Sequence, residues 1–174
     1  RQRQMCIRDS LDPAGVNTAE VSRNLLGQLD GTANKAVASK EFDEIVWAKE
    51  GGLTNGTTMV VRRIRMALDT WNKVSTKSKS GVIGRSLEDG ALLESSSATA
   101  HQGRAFTKGS AGIMRRGFNY DDNYLADGSR DAGLIFIAFQ AQLKNYLDIQ
   151  SKLNAVDSLN RYTTPVAVSY THLT

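Results

Sequence analysis

"GTTMVVRRIRMALDTWNKVS", residues 56–75, changes its hydrophobic period halfway along. Up to Met66 the stretch is β-branched and alternating, as a strand with one wet face would be. From Asp69 the spacing becomes helical, with Asp69 placed to cap a turn ahead of Trp71 and Val74, and it holds to Ser86. A second cycle follows. "AGIMRRGFNY" (111–120) and "AGLIFIAF" (132–139) read as strands across the acidic turn "DDNYLADGSRD" (121–131). "QAQLKNYLDIQSKLN" (140–154) sets Leu143, Tyr146, Leu147 and Leu153 on one helical face, and "TTPVAV" (163–168) opens a fourth strand. Strand, helix, strand, strand, helix, strand is the split βαβ order. The fold class expected is therefore α+β: a ferredoxin-like antiparallel sheet with helices on one face and the other face left to bind something.

The rest of the chain sets bounds. Residues 11–56 are loop-rich with one short helix near 38–46, and 87–110 form a long small-residue loop. Loops beyond about 12–15 residues are usually functional or disordered. A length of 174 residues, 40% hydrophobic and 23% charged, describes an ordinary globular domain. The net charge of +4 is small and scattered, which argues against nucleic acid. No apolar run approaches the roughly 20 residues of a membrane span. The acidic turn lacks the spacing of an EF-hand calcium loop and reads as solvated. "RQRQMCIRDS" (1–10) and the tail at 168–174 resemble translated sequencing-adapter read-through, so 11–167 is the expected native domain. Cys6 and His172 fall in those ends, which leaves His101 as the histidine to explain.

"LLGQLDGTANK" (25–35), with its GxxDG pattern, "MVVRRIRMALDTWNKVS…VIGRS", "GIMRRGFNY", "DAGLIFIAFQ" and "LNRYTTPV" occur in the order found in dye-decolourising peroxidases. These blocks resemble the A-type, deferrochelatase-like branch, over residues 20–166. The resemblance implies the C-terminal half of a two-half dimeric α+β barrel enzyme. It also implies one haem b per complete subunit, and hydrogen peroxide with aromatic or dye substrates as reactants. A homo-oligomeric parent exported out of the cytoplasm by the Tat route is implied too. The alternative activity within this resemblance is release of iron from haem for uptake.

Residue by residue, the resemblance makes His101 the proximal haem ligand, since imidazole suits iron and leaves the other haem face open. Asp30 becomes the group that carries a proton from the inner to the outer peroxide oxygen; on residues alone, Asp30-Gly31 is a tight turn. An Asp titrates near 3.9 when unperturbed, so this base predicts activity in acid. Arg115 becomes the distal guanidinium that stabilises charge as the O–O bond breaks. Strand alternation sends Arg116 to the opposite face, as a paired surface residue. Arg104 is read as a propionate contact, although "HQGR" puts it three residues after His101 where the family usually has two. Asp131 reads equally as the partner of the His101 ring N–H or as the end of the hairpin turn. Leu134 and Phe136 wall the distal pocket or simply pack the core. Asn34 meets a haem edge or stabilises its turn. Bulky dyes imply oxidation through surface aromatics, with Tyr120 first, then Trp47, Trp71 and Tyr124.

Overall fold

The computed structural model describes residues 23–29, 31, 33–37, 39–94, 97–105 and 112–173. Four strands, β1 (Thr57–Met66), β2 (Met114–Tyr124), β3 (Arg130–Gln140) and β4 (Thr163–Leu173), form one sheet in the order β2-β3-β1-β4. All three pairings are antiparallel. This is the split βαβ order, and the fold is α+β and ferredoxin-like, as the period change at residues 56–75 predicts. The helices are α1 (Lys40–Val46), α2 (Leu68–Asn72), α3 (Thr76–Ile83), α4 (His101–Ala105) and α5 (Leu143–Val156). Among the described residues no helix is long and apolar enough to cross a membrane.

The sheet register sorts the side chains by face. Val60, Arg62 and Ile64 of β1 stand opposite Ala138, Phe136 and Leu134 of β3. Arg115, Gly117 and Asn119 of β2 oppose the same three residues from the other side. This is the face the helices cover. Leu134 and Met66 pack with Leu26, Leu68, Trp71, Ile83 and Leu159, and Val60 and Ala138 pack with Tyr146 and Leu143. Trp71 is 1% exposed, meets the Tyr162 ring edge-on at 4.8 Å, and donates its indole N–H to the Leu26 carbonyl at 2.9 Å. Deleting a buried aromatic of this size removes about 3–5 kcal/mol, so this one ring holds the sheet, α2 and the 23–29 hairpin together.

Three local expectations are corrected. The helix expected across 69–86 is two helices, because the Ser75 hydroxyl accepts from the Ser78 N–H at 3.3 Å and starts a new one. Asp69 lies inside the first turn of α2 rather than capping it. The acidic turn is shorter than expected, closing at Leu125–Ser129 with a 2.8 Å backbone bond, because both strands run on into it. Residues 168–173 continue β4, with Val168 opposite Arg62 and Leu173 opposite Thr57. Ladder hydrogen bonds use the backbone alone and accept many side chains there. Residues 1–10 and Thr174 lie outside the described residues.

Candidate functional site

The expected loop at 87–110 is not structureless where it matters: His101 opens helix α4. Two features bring it in. Gly84 ends α3 with φ +86°, a left-handed cap that glycine adopts without strain. A Cβ there would press within 3.2 Å of both Ala100 and Gln102, so the missing side chain also lets the His101 segment pass close to α3. Downstream, the Ser158 N–H donates to the Thr99 carbonyl at 2.9 Å, and the two hydroxyls bond at 2.7 Å. Thus the residues just before His101 are tied to the turn that follows α5.

That turn supplies the partner of the imidazole. His101 Nδ1 lies 2.6 Å from Asp157 Oδ2. Asp157 is only 6% exposed, and its other oxygen accepts the Leu159 N–H at 2.9 Å. The carboxylate is therefore fixed before it meets the ring. A short, charge-assisted bond of this kind places the proton on Nδ1, turns the lone pair onto Nε2 and makes that nitrogen a better metal ligand.

Asp131 does not play this part. It accepts from Arg63 at 2.7 Å, from Arg65 at 3.1 Å and from the Tyr120 hydroxyl at 3.3 Å. The reason is parity: Asp131 is three residues from Leu134, so on a strand the two face opposite ways. Partial burial pushes the Asp131 carboxyl up, but the bonds and charges of Arg65 and Arg63 outweigh it and hold its pKa below the usual range. The stabilisation from a lowered folded pKa is complete above the unfolded value and disappears as pH falls through the folded one. Asp131→Asn should therefore lower Tm at pH 7, and the gap to the parent should shrink once pH drops below about 4. A gap that stayed constant from pH 7 to pH 2 in calorimetry would contradict the pairing.

The remaining sequence-predicted residues divide as follows. Arg115, Leu134 and Phe136 share the helix-side face by register, rather than the open face that the sequence reading left for binding. Arg104, one turn beyond His101, donates to the Lys152 carbonyl of α5 at 3.2 Å. Asn34 binds the Arg115 peptide, donating to its carbonyl at 2.7 Å and accepting its N–H at 3.1 Å, which is the turn-stabilising alternative. Asp30 lies outside the described residues; its neighbour Leu29 closes a turn by a β-bridge to Arg23, and Gly31 accepts the Asn34 N–H at 2.9 Å to begin another. Of the aromatics, Tyr120 and Trp71 are buried, whereas Trp47 and Tyr124 are exposed, so Tyr120 is not a surface residue. Burial pushes the Tyr120 phenol up in pKa against the opposing charge of Arg63, whose guanidinium stacks 4.0 Å over the ring.

Sequence reasoning did not reach two residues. Asp157 stands 56 positions from His101 with all of α5 between them, so no local pattern joins the pair. Arg85 follows the Gly84 cap. Its guanidinium is lowered in pKa by burial and by the positive charge of Arg115, and it donates to the Gly90 carbonyl at 2.8 Å.

An imidazole held through Nδ1 by a buried carboxylate thus sits in a ferredoxin-like domain whose helix-side sheet face carries Arg62 and Arg115. The sequence model of the C-terminal Dyp-type peroxidase domain matches residues 21–173, and the chain belongs to that family. The dye-decolorizing peroxidase of Thermobifida fusca (strain YX) is 36% identical over 169 residues, covering 80% of this chain and 39% of the relative. The deferrochelatase of Escherichia coli (strain K12) is 28% identical over 180 residues, covering 87% of this chain and 42% of the relative. Ferric DtpA from Streptomyces lividans superposes with a TM-score of 0.81 at 32% identity, over 92% of this chain and 51% of that one. The chain thus spans about two fifths of these curated relatives and half of that solved structure.

Proposed function

We propose that this chain is the haem-holding half of a peroxidase that uses hydrogen peroxide to oxidise dyes, phenols or other aromatic substrates. The observation that carries the proposal is the 2.6 Å bond between His101 Nδ1 and the buried Asp157 carboxylate. A lone surface histidine has no need of such a partner. The donor set fits haem: His101 offers Nε2 to iron, with its other ring nitrogen held by the buried Asp157 carboxylate. Family membership and the iron named for DtpA support the same cofactor.

Bound haem would supply the redox chemistry that reduces peroxide and oxidises the substrate. His101 would hold the cofactor through Nε2, and Asp157 keeps the imidazole oriented and electron-rich. Asp30 would carry a proton from one oxygen of hydrogen peroxide to the other, so that the second leaves as water as the O–O bond breaks, with the two electrons supplied by haem. Arg115 stabilises the charge that builds on the departing oxygen. Leu134 and Phe136 keep bulk water out of the same layer. Arg104 joins α4 to α5 and steadies the ligand helix. Asp30→Asn and Arg115→Leu should each leave haem bound and slow the reaction with peroxide by about 100-fold or more. Stopped-flow absorbance measures this, and rates equal to the parent would remove both residues from the mechanism.

The resemblance to the A-type branch supports an exported, homo-oligomeric parent with one haem b per complete subunit. The deferrochelatase relatives favour a second reading, release of iron from haem. The presence of Asp30 and Arg115 favours the peroxidase, because a haem-handling protein needs only the axial ligand. Sustained turnover of an anthraquinone dye, with the haem intact at the end, separates the two.

A further inference from the structure

Among the described residues strand β2 is an edge of the sheet, with β3 on one side and no strand on the other. Its outer backbone groups are not bare. The Arg115 peptide turns outward and pairs with the Asn34 side chain through two hydrogen bonds, of 2.7 and 3.1 Å. Four residues along, the Asn119 side chain reaches back the other way. Its Oδ1 accepts the Leu25 N–H at 3.2 Å, and its Nδ2 donates to the Arg23 carbonyl at 3.0 Å. A primary amide carries the donor and acceptor of a peptide unit, so each asparagine reproduces the two-bond contact of an antiparallel residue pair. One clamp runs from the turn to the strand and the other from the strand to the turn. The chain between them, Leu25 to Asn34, contains Asp30, and the Trp71 indole N–H anchors it a third time at Leu26.

We infer that Asn34 and Asn119 are positioning residues, a pair of neutral amide clamps that fix the segments flanking Asp30 on the strand carrying Arg115. The claim rests on the assignment of Asp30 and Arg115 to peroxide cleavage. Neutral amides suit the place, since a charged clamp beside Arg115 would alter the field that the reaction uses. Misplacing a proton-transfer group by about an ångström lowers rates by orders of magnitude.

Hydrogen exchange and peroxide kinetics test it together on the haem-loaded chain. Asn34→Ala and Asn119→Ala should accelerate amide exchange across residues 25–34 about tenfold or more, with β1 and β3 unchanged. The same variants should react with peroxide at least about tenfold more slowly while haem affinity and the Soret band stay as in the parent. Asn34→Asp adds a pH signature. A neutral carboxyl still donates and accepts, whereas the carboxylate repels the Arg115 carbonyl. Its rate relative to the parent should therefore recover as pH falls below about 4, and that of Asn34→Ala should not. Unchanged exchange overturns the proposal, and so does a loss of haem binding that tracks the loss of rate. A parent that binds haem but ignores peroxide overturns the Asp30–Arg115 assignment and the positioning claim with it, while the exchange arm still reports the clamps.

Discussion

His101→Ala in the haem-loaded protein should abolish the histidine-ligated Soret band and weaken haem binding by more than about 100-fold, since loss of even a partner behind a metal ligand costs 10- to 100-fold. Asp157 is built around this ring: it is buried, one oxygen holds the Leu159 N–H, and the other holds Nδ1. Removing the imidazole leaves that carboxylate buried with one partner fewer, so a drop in Tm should accompany the spectral change. Added imidazole can enter the vacated space, bond Asp157 and restore ligation. Rescue of the Soret band by imidazole therefore separates loss of the ligand from general unfolding. An alanine variant with the parent's spectrum would transfer the ligand role elsewhere.

Gly133→Ala should be the most damaging single methyl in the sheet. Gly133 of β3 stands opposite Arg65 of β1. A Cβ on Gly133 would land within the radius of the Ile64 carbonyl oxygen and 3.0 Å from the Arg65 Cα. Both obstacles are backbone, so no rotamer change relieves the overlap and the two central strands must separate. Losses above about 4 kcal/mol are expected where a substitution forces backbone apart. Urea denaturation measures it, and a midpoint equal to the parent's would contradict the close approach. The alternation of residues 132–139 hides this constraint, because glycine reads there only as a weak strand former.

The order of strands and helices is legible because it follows from period alone. A stretch such as 56–75 changes from alternation to helical spacing, and the sheet order follows from the split βαβ connectivity. What reads less well depends on single side-chain bonds. The break at Ser75 comes from one hydroxyl capping a new helix where the apolar spacing continues unbroken. The short helix at His101 depends on the Gly84 cap and on the tie from Thr99 to Ser158, and Gly84 and Ser158 are both remote in sequence from the histidine.

The site shows the same division. Arg115, Leu134 and Phe136 share a face because their strands are in register, and the sequence supports that grouping. Asp131 was separable from them by counting: an odd offset from Leu134 puts it on the far side, where Arg63 and Arg65 hold it. Asp157 was not recoverable that way. It reads as the end of a helix and the cap of a short turn, and only the packing of α4 beside α5 brings it to the imidazole.

The most direct test is the absorption spectrum of the haem-loaded chain before and after one equivalent of hydrogen peroxide. The expected result is a sharp histidine-ligated Soret band that shifts on mixing with peroxide and returns when a phenol or dye is added. A broad band of unligated haem, unmoved by peroxide, would contradict it.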